Sequence, residues 1–149
     1  MKTFSTILFP TDFSENSEYA FDHALTLARQ FNARLVVMHV INEPVDLRGF
    51  YVPHVSFEKL EEEIVAAAEK MMGKFCHTKL KDFANATSCI VSGIPYDEIL
   101  KKAAEVEASL IVMGTHGRRG IDHFLFGSTA ERVVRNATCP VMTVRPPEA

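Results

Sequence analysis

Apolar residues change their spacing repeatedly along the chain, and each change marks a predicted element. Ile7-Leu8-Phe9 is a short apolar run cut by Pro10-Thr11-Asp12, which reads as a buried strand that stops abruptly. Beyond it, Ala20, Phe21, Ala24, Leu25, Ala28 and Phe31 recur at three and four residues, with Ser14 ahead of them and Glu18, Asp22 and Arg29 off that face. This predicts a capped amphipathic helix. Leu35-Val36-Val37-Met38-His39-Val40-Ile41 is too short for a typical helix and rich in β-branched residues, so it is predicted as a central strand buried on both faces.

Residues 42–56 contain Pro44, Gly49 and Pro53 without a clean period, which makes this the longest irregular stretch and a candidate lid. Ser56 then precedes Leu60, Ile64, Ala67, Ala68, Met71 and Phe75 at helical spacing, with Glu61, Glu62, Glu63 and Lys70 on the other face. Ser88-Cys89-Ile90-Val91 reads as a third strand, and Pro95 opens a helical pattern through Ile99, Leu100, Ala103 and Val106. Leu110-Ile111-Val112-Met113 is a fourth buried strand. A glycine-rich segment from Gly114 to Gly127-Ser128-Thr129 leads into a helix with Ala130, Val133 and Val134, and Val141-Met142-Thr143-Val144 closes the series. Met71, Met72 and Met113 read as core filler.

Strands alternating with helical patterns imply parallel pairing, because each parallel connection needs a crossover that packs on one face of the sheet. The predicted fold is α/β: a single-domain open, mainly parallel five-stranded sheet with helices on both faces, Rossmann-like or flavodoxin-like, spanning residues 1–149. In such sheets ligands bind outside the carboxyl ends of the strands, where strand order reverses.

Composition narrows the function. Of 149 residues, 47% are hydrophobic and 23% charged, enough for one core without a metal or disulfide staple. Sixteen Lys and Arg against nineteen Asp and Glu give a net charge of -3, so no general attraction to nucleic acid or anionic membrane is expected. Any anion must be held by a local site. No run approaches the ~20 apolar residues of a membrane span. The three cysteines, Cys76, Cys89 and Cys139, have no CxxC spacing; they read as free thiols in a reducing cytoplasm, with no cleaved export signal expected.

The informative chemistry lies at strand ends. Gly114 and Gly117 let backbone approach a ligand, while Gly127-Ser128-Thr129 brings N–H groups, hydroxyls and the positive end of a helix dipole to one spot, a cradle for phosphates. Neither GxxxxGK[ST] nor GxGxxG after the first strand is present. Zinc is not expected at His116 and His123, which lack an acidic partner at ligand spacing. Ser128 lacks the GxSxG elbow of a hydrolase, and His39 reads as a satisfied core or near-site histidine. What is present is Gly, two residues, Gly, nine residues, Gly-Ser after the fourth strand, and Pro10-Thr11-Asp12-Phe13-Ser14 after the first. This combination resembles the universal stress protein family, specifically its ATP-binding branch, over essentially the whole chain.

The resemblance implies a nucleotide site. Asp12, flanked by Pro10 and Thr11, would lie near the ribose and the phosphates or their Mg²⁺, with Asp12 the metal residue. The backbone around Val40 would meet the adenine edge. Gly114 and Gly117, with Met113, Thr115 and Arg118 beside them, would flank ribose and phosphates; Gly127, Ser128 and Thr129 would hold the phosphate chain. ATP, with ADP or AMP as alternative occupants, is the implied cofactor, and a homodimer through Val141 to Val144 the implied assembly. The expected function is a cytoplasmic, nucleotide-controlled stress-response module acting on an unidentified protein partner. Two alternatives stand beside it: a slow ATP hydrolase or phosphotransferase, and a nucleotide-independent interaction module. The parts of fast phosphoryl transfer, a loop lysine and a committed arginine, are missing from the pattern.

Overall fold

Five strands alternate with four helices through the residues that the computed structural model describes, 3–42, 57–116 and 126–147. They are β1 (Thr6–Pro10), α1 (Glu15–Phe31), β2 (Arg34–Ile41), α2 (Phe57–Lys79), β3 (Ala86–Ser92), α3 (Pro95–Glu105), β4 (Leu110–Gly114), α4 (Ser128–Asn136) and β5 (Val141–Val144). All pairings are parallel, in the order β3-β2-β1-β4-β5. The expected parallel α/β sheet is therefore present.

Side-chain alternation sorts the inner strands into two layers. Ile7 and Phe9, Leu35 and Val37, and Leu110 and Val112 join Ala20, Phe21, Ala24 and Ala28 of α1 with Met72 and Phe75 of α2. Leu8, Val36, Met38, Ile111 and Met113 face Ile99 of α3 and Ala130 and Val133 of α4. The chain moves outward from β1 through β2 to β3, then crosses back to β4 and β5. Right-handed crossovers put helices of opposite travel on opposite faces, which is the distribution found. β1, β2 and β4 are consequently covered on both sides, whereas the edge strand β3 leaves Thr87, Ser88 and Ser92 exposed.

Three apolar positions of α1 and α2 depart from expectation. In α2 the buried stripe runs through Ala68, Met72 and Phe75, while Met71 is 43% exposed, because one residue of helix turns a side chain about 100° away from its neighbour. Ala67 is exposed for the same reason. Phe31, at the last position of α1, is partly exposed and packs edge-on against Phe4, ring centroids 5.0 Å apart. Of the candidate lid, residues 43–56 lie outside the described residues. Among the described residues, no helix is long and apolar enough to cross a membrane.

Gly73 sits inside α2, and a methyl group added there would meet nothing within 4 Å. Gly73→Ala should therefore raise stability by about 0.5–1 kcal/mol by restricting the unfolded chain. Urea unfolding should show a higher midpoint at unchanged slope; a lowered midpoint would mean that this face of α2 is covered.

Candidate functional site

Pro10, Thr11 and Asp12 lead from the central strand into a tightly bonded turn. Thr11 still donates its N–H to the Met38 carbonyl at 2.8 Å. Its Oγ1 then accepts the Phe13 N–H at 3.0 Å, and Asp12 Oδ1 accepts the Ser14 N–H at 3.0 Å. Ser14 in turn caps α1, its Oγ accepting the Ser17 N–H at 3.2 Å, and the buried Ser17 hydroxyl donates back to Thr11 Oγ1 at 2.7 Å. Asp12 is thus not the helix cap; its carboxylate is oriented by its own Asx turn at the rim of the sheet. Phe13 pays for the sharp reversal with a φ of 64°, a left-handed conformation rare for an aromatic residue.

The second half of the site comes from β4 and α4. Ile7 pairs with Leu110 and Leu8 with Ile111, so the carboxyl ends of β1 and β4 lie side by side in the sheet. Thr115, itself buried, donates its N–H to the Val144 carbonyl at 3.2 Å and accepts the Gly127 N–H at 2.6 Å. One residue therefore ties β4, β5 and the start of α4 together. Thr115 Oγ1 also lies 3.0 Å from His116 Nδ1.

The backbone angles of the two described glycines of this half do not themselves require glycine. A Cβ at Gly114 would lie 3.4 Å from the Asn16 carbonyl oxygen, an ordinary contact, and no positive φ is required there. Gly127 is the N-cap of α4 with φ -70° and ψ 165°, extended backbone open to other residues. Among the described residues no side chain caps α4, and its first N–H groups, beside the Ser128 and Thr129 hydroxyls, carry the positive end of the helix dipole. Small residues and an uncapped helix start fit a phosphate chain. A single oriented carboxylate fits Mg²⁺, which is commonly held by one or two carboxylates together with substrate phosphates and water.

Residues 10–12, 113–115 and 127–129 are accordingly gathered at the same ends of neighbouring strands. Val40 lies one strand away, half-buried, paired with Val91 and packed on the α3 and α4 layer. Gly117 and Arg118 lie outside the described residues. The structure adds Phe13 and His39, whose rings stand 4.6 Å apart. A histidine within an otherwise apolar strand was the available signal for one; nothing in the residue pattern marks the left-handed conformation of the other.

Comparison with known proteins bears on this geometry. Residues 3–145 match the profile of the Universal stress protein family. The chain is 34% identical over 153 residues to Universal stress protein MJ0531 of Methanocaldococcus jannaschii, covering 97% of this chain and 84% of that protein. The solved structure of MJ0577 from the same organism is 27% identical and superposes with a TM-score of 0.86, covering 99% of this chain and 100% of that one. A universal stress protein solved in complex with cAMP, 24% identical with a TM-score of 0.67, shares the fold over 97% of this chain and 98% of that one.

No cluster of three or more His, Cys, Asp or Glu side chains suited to a metal occurs among the described residues. The cysteines are poor nucleophiles. Burial pushes the Cys76, Cys89 and Cys139 thiols up, and the opposing effects, a Ser88 hydrogen bond at Cys76 and the Lys102 charge at Cys89, are weaker. A raised thiol pKa lowers the thiolate fraction at a given pH. At pH 8 all three should therefore react with iodoacetamide more slowly in the folded protein than in urea; a thiol that reacts faster when folded would be an activated one.

Proposed function

The chain belongs to the universal stress protein family, and on that premise we propose that it binds ATP, with ADP or AMP as alternative occupants, and that occupancy controls its shape or its binding of a protein partner. One observation carries this reading: the uncapped start of α4 is tied through Gly127 and Thr115 to the end of β4, beside the turn that orients Asp12. A polyanion placed there meets helix N–H groups on one side. On the other it meets a carboxylate suited to share Mg²⁺ with it.

In this reading Gly127, Ser128 and Thr129 take the phosphate chain, while Asp12, supported by Pro10 and Thr11, holds Mg²⁺ against it. Met113, Gly114 and Thr115, continued by Gly117 and Arg118, flank ribose and phosphates, and the Val40 backbone meets the adenine edge. Glycine at positions 114 and 127 supports the assignment, since a residue without a side chain lets backbone approach a ligand closely. The protein would work in the cytoplasm, as free thiols suit a reducing compartment.

A homodimer through β5 completes the proposal. β5 is an edge strand whose free side would otherwise invite unspecific pairing, and Met142 on it and Val134 nearby in sequence on α4 are both exposed. Sedimentation should give a dimer mass for the wild type, and Met142→Glu should shift it toward monomer. A monomeric wild type would overturn the dimer.

Nucleotide binding has a direct check. After incubation with Mg-ATP and removal of free ligand, about one intact ATP per chain should be released, whereas ADP exceeding the protein concentration would mean turnover. Gly127→Val should weaken ATP binding about tenfold or more, equivalent to about 1.4 kcal/mol, and Gly114→Ala should weaken it less. A thermal midpoint near the wild type's is the control each variant must pass; unchanged affinity in a Gly127→Val that passes it would place the phosphates elsewhere.

A further inference from the structure

Resting on the nucleotide-binding reading above, we propose that His39 is the positioning residue of the site: its imidazole holds the Thr11 carbonyl and backs Phe13, and so presets the Asp12 carboxylate before nucleotide arrives.

The imidazole is only 9% exposed, in a strand whose other residues from Leu35 to Ile41 are all apolar. By strand alternation it points to the layer of Leu35 and Val37, opposite to Val40. Its Nδ1 lies 2.8 Å from the Thr11 carbonyl oxygen. A carbonyl can only accept, so Nδ1 carries the proton and donates. Thr11 is thereby tied to β2 at both backbone groups, through its N–H to the Met38 carbonyl and through its carbonyl to His39.

The same ring supports the residue on the far side of Asp12. Phe13 adopts a left-handed backbone that persists only where its surroundings over-determine it. Its ring lies 4.6 Å from the His39 ring at a 37° tilt and 6.1 Å from Phe75, nearly edge-on. Asp12 therefore sits between two residues that contact one imidazole, and its own Oδ1 is engaged by Ser14. A leucine or valine at position 39 would fill the layer yet leave the Thr11 carbonyl without this donor. That is the physical reason for a histidine among apolar residues. Preset geometry strengthens binding by removing the ordering that the ligand must otherwise impose.

The test separates the donor's position from general packing. In His39→Asn the amide nitrogen stands close to where Nδ1 stood, whereas in His39→Gln it stands close to the place of Nε2. Both variants lose the ring and keep a polar group, and Gln, which leaves the buried Thr11 carbonyl without its donor, should lose more thermal stability than Asn without nucleotide. Mg-ATP affinity of the full chain, by calorimetry, should stay within about threefold of wild type for Asn and fall about tenfold or more for Gln, which leaves the Thr11 carbonyl unsatisfied. Equal affinity in the two variants, measured well below both thermal midpoints, overturns the role of His39. Wild-type protein that binds no ATP instead overturns the nucleotide reading and this inference together.

Discussion

The reversal of strand order at β1 governs the rest of the site. With β1 between β2 and β4, the chain leaving β1 must climb onto the layer of α1 while the chain leaving β4 must climb onto the opposite layer with α4. Adjacent strand ends therefore part, and a cleft opens without any side chain having to be removed. The turn at residues 11–14 forms one wall and the Thr115 bonds to Val144 and Gly127 hold the other.

An apolar sheet makes polar groups costly unless they are paired. The four buried polar residues among those described, Thr11, Ser17, His39 and Thr115, all lie at this one edge or against it, and each is hydrogen-bonded. No buried side-chain nitrogen or oxygen among the described residues is left without a partner. Such a network is rigid, because shifting one member leaves another unpaired in a low-dielectric interior. The left-handed Phe13 belongs to the same arrangement: its strain is tolerated where hydrogen bonds and two rings fix the backbone around it. The glycines contribute the opposite property, an absence of side chain at the end of β4 and at the N-cap of α4.

Most of the fold was legible because its strands and helices carry different periods. The apolar run of residues 35–41 could only be a two-face-buried strand, and Ser14 ahead of a three-and-four pattern could be read as a cap before any coordinates. The α2 face was harder: Ala67 with Ala68 and Met71 with Met72 are adjacent pairs of small or apolar residues, so periodicity alone could not say which member of each pair turned inward. Site residues were legible in proportion to their dependence on backbone. Gly114 and Gly127 stand out as glycines after a strand and before a helix, and Asp12 stands out at an abrupt strand end.

Residue order by itself thus settled the alternation of elements, the parallel class of the sheet and the strand ends where chemistry had to be sought, since these follow from local spacing and turn residues. Folding settled which ends meet. That Leu8 stands beside Ile111, that the Thr115 carbonyl receives the Gly127 N–H, and that His39 reaches 28 residues back to the Thr11 carbonyl all depend on strand order and register. Those are products of long-range packing, and no local pattern encodes them.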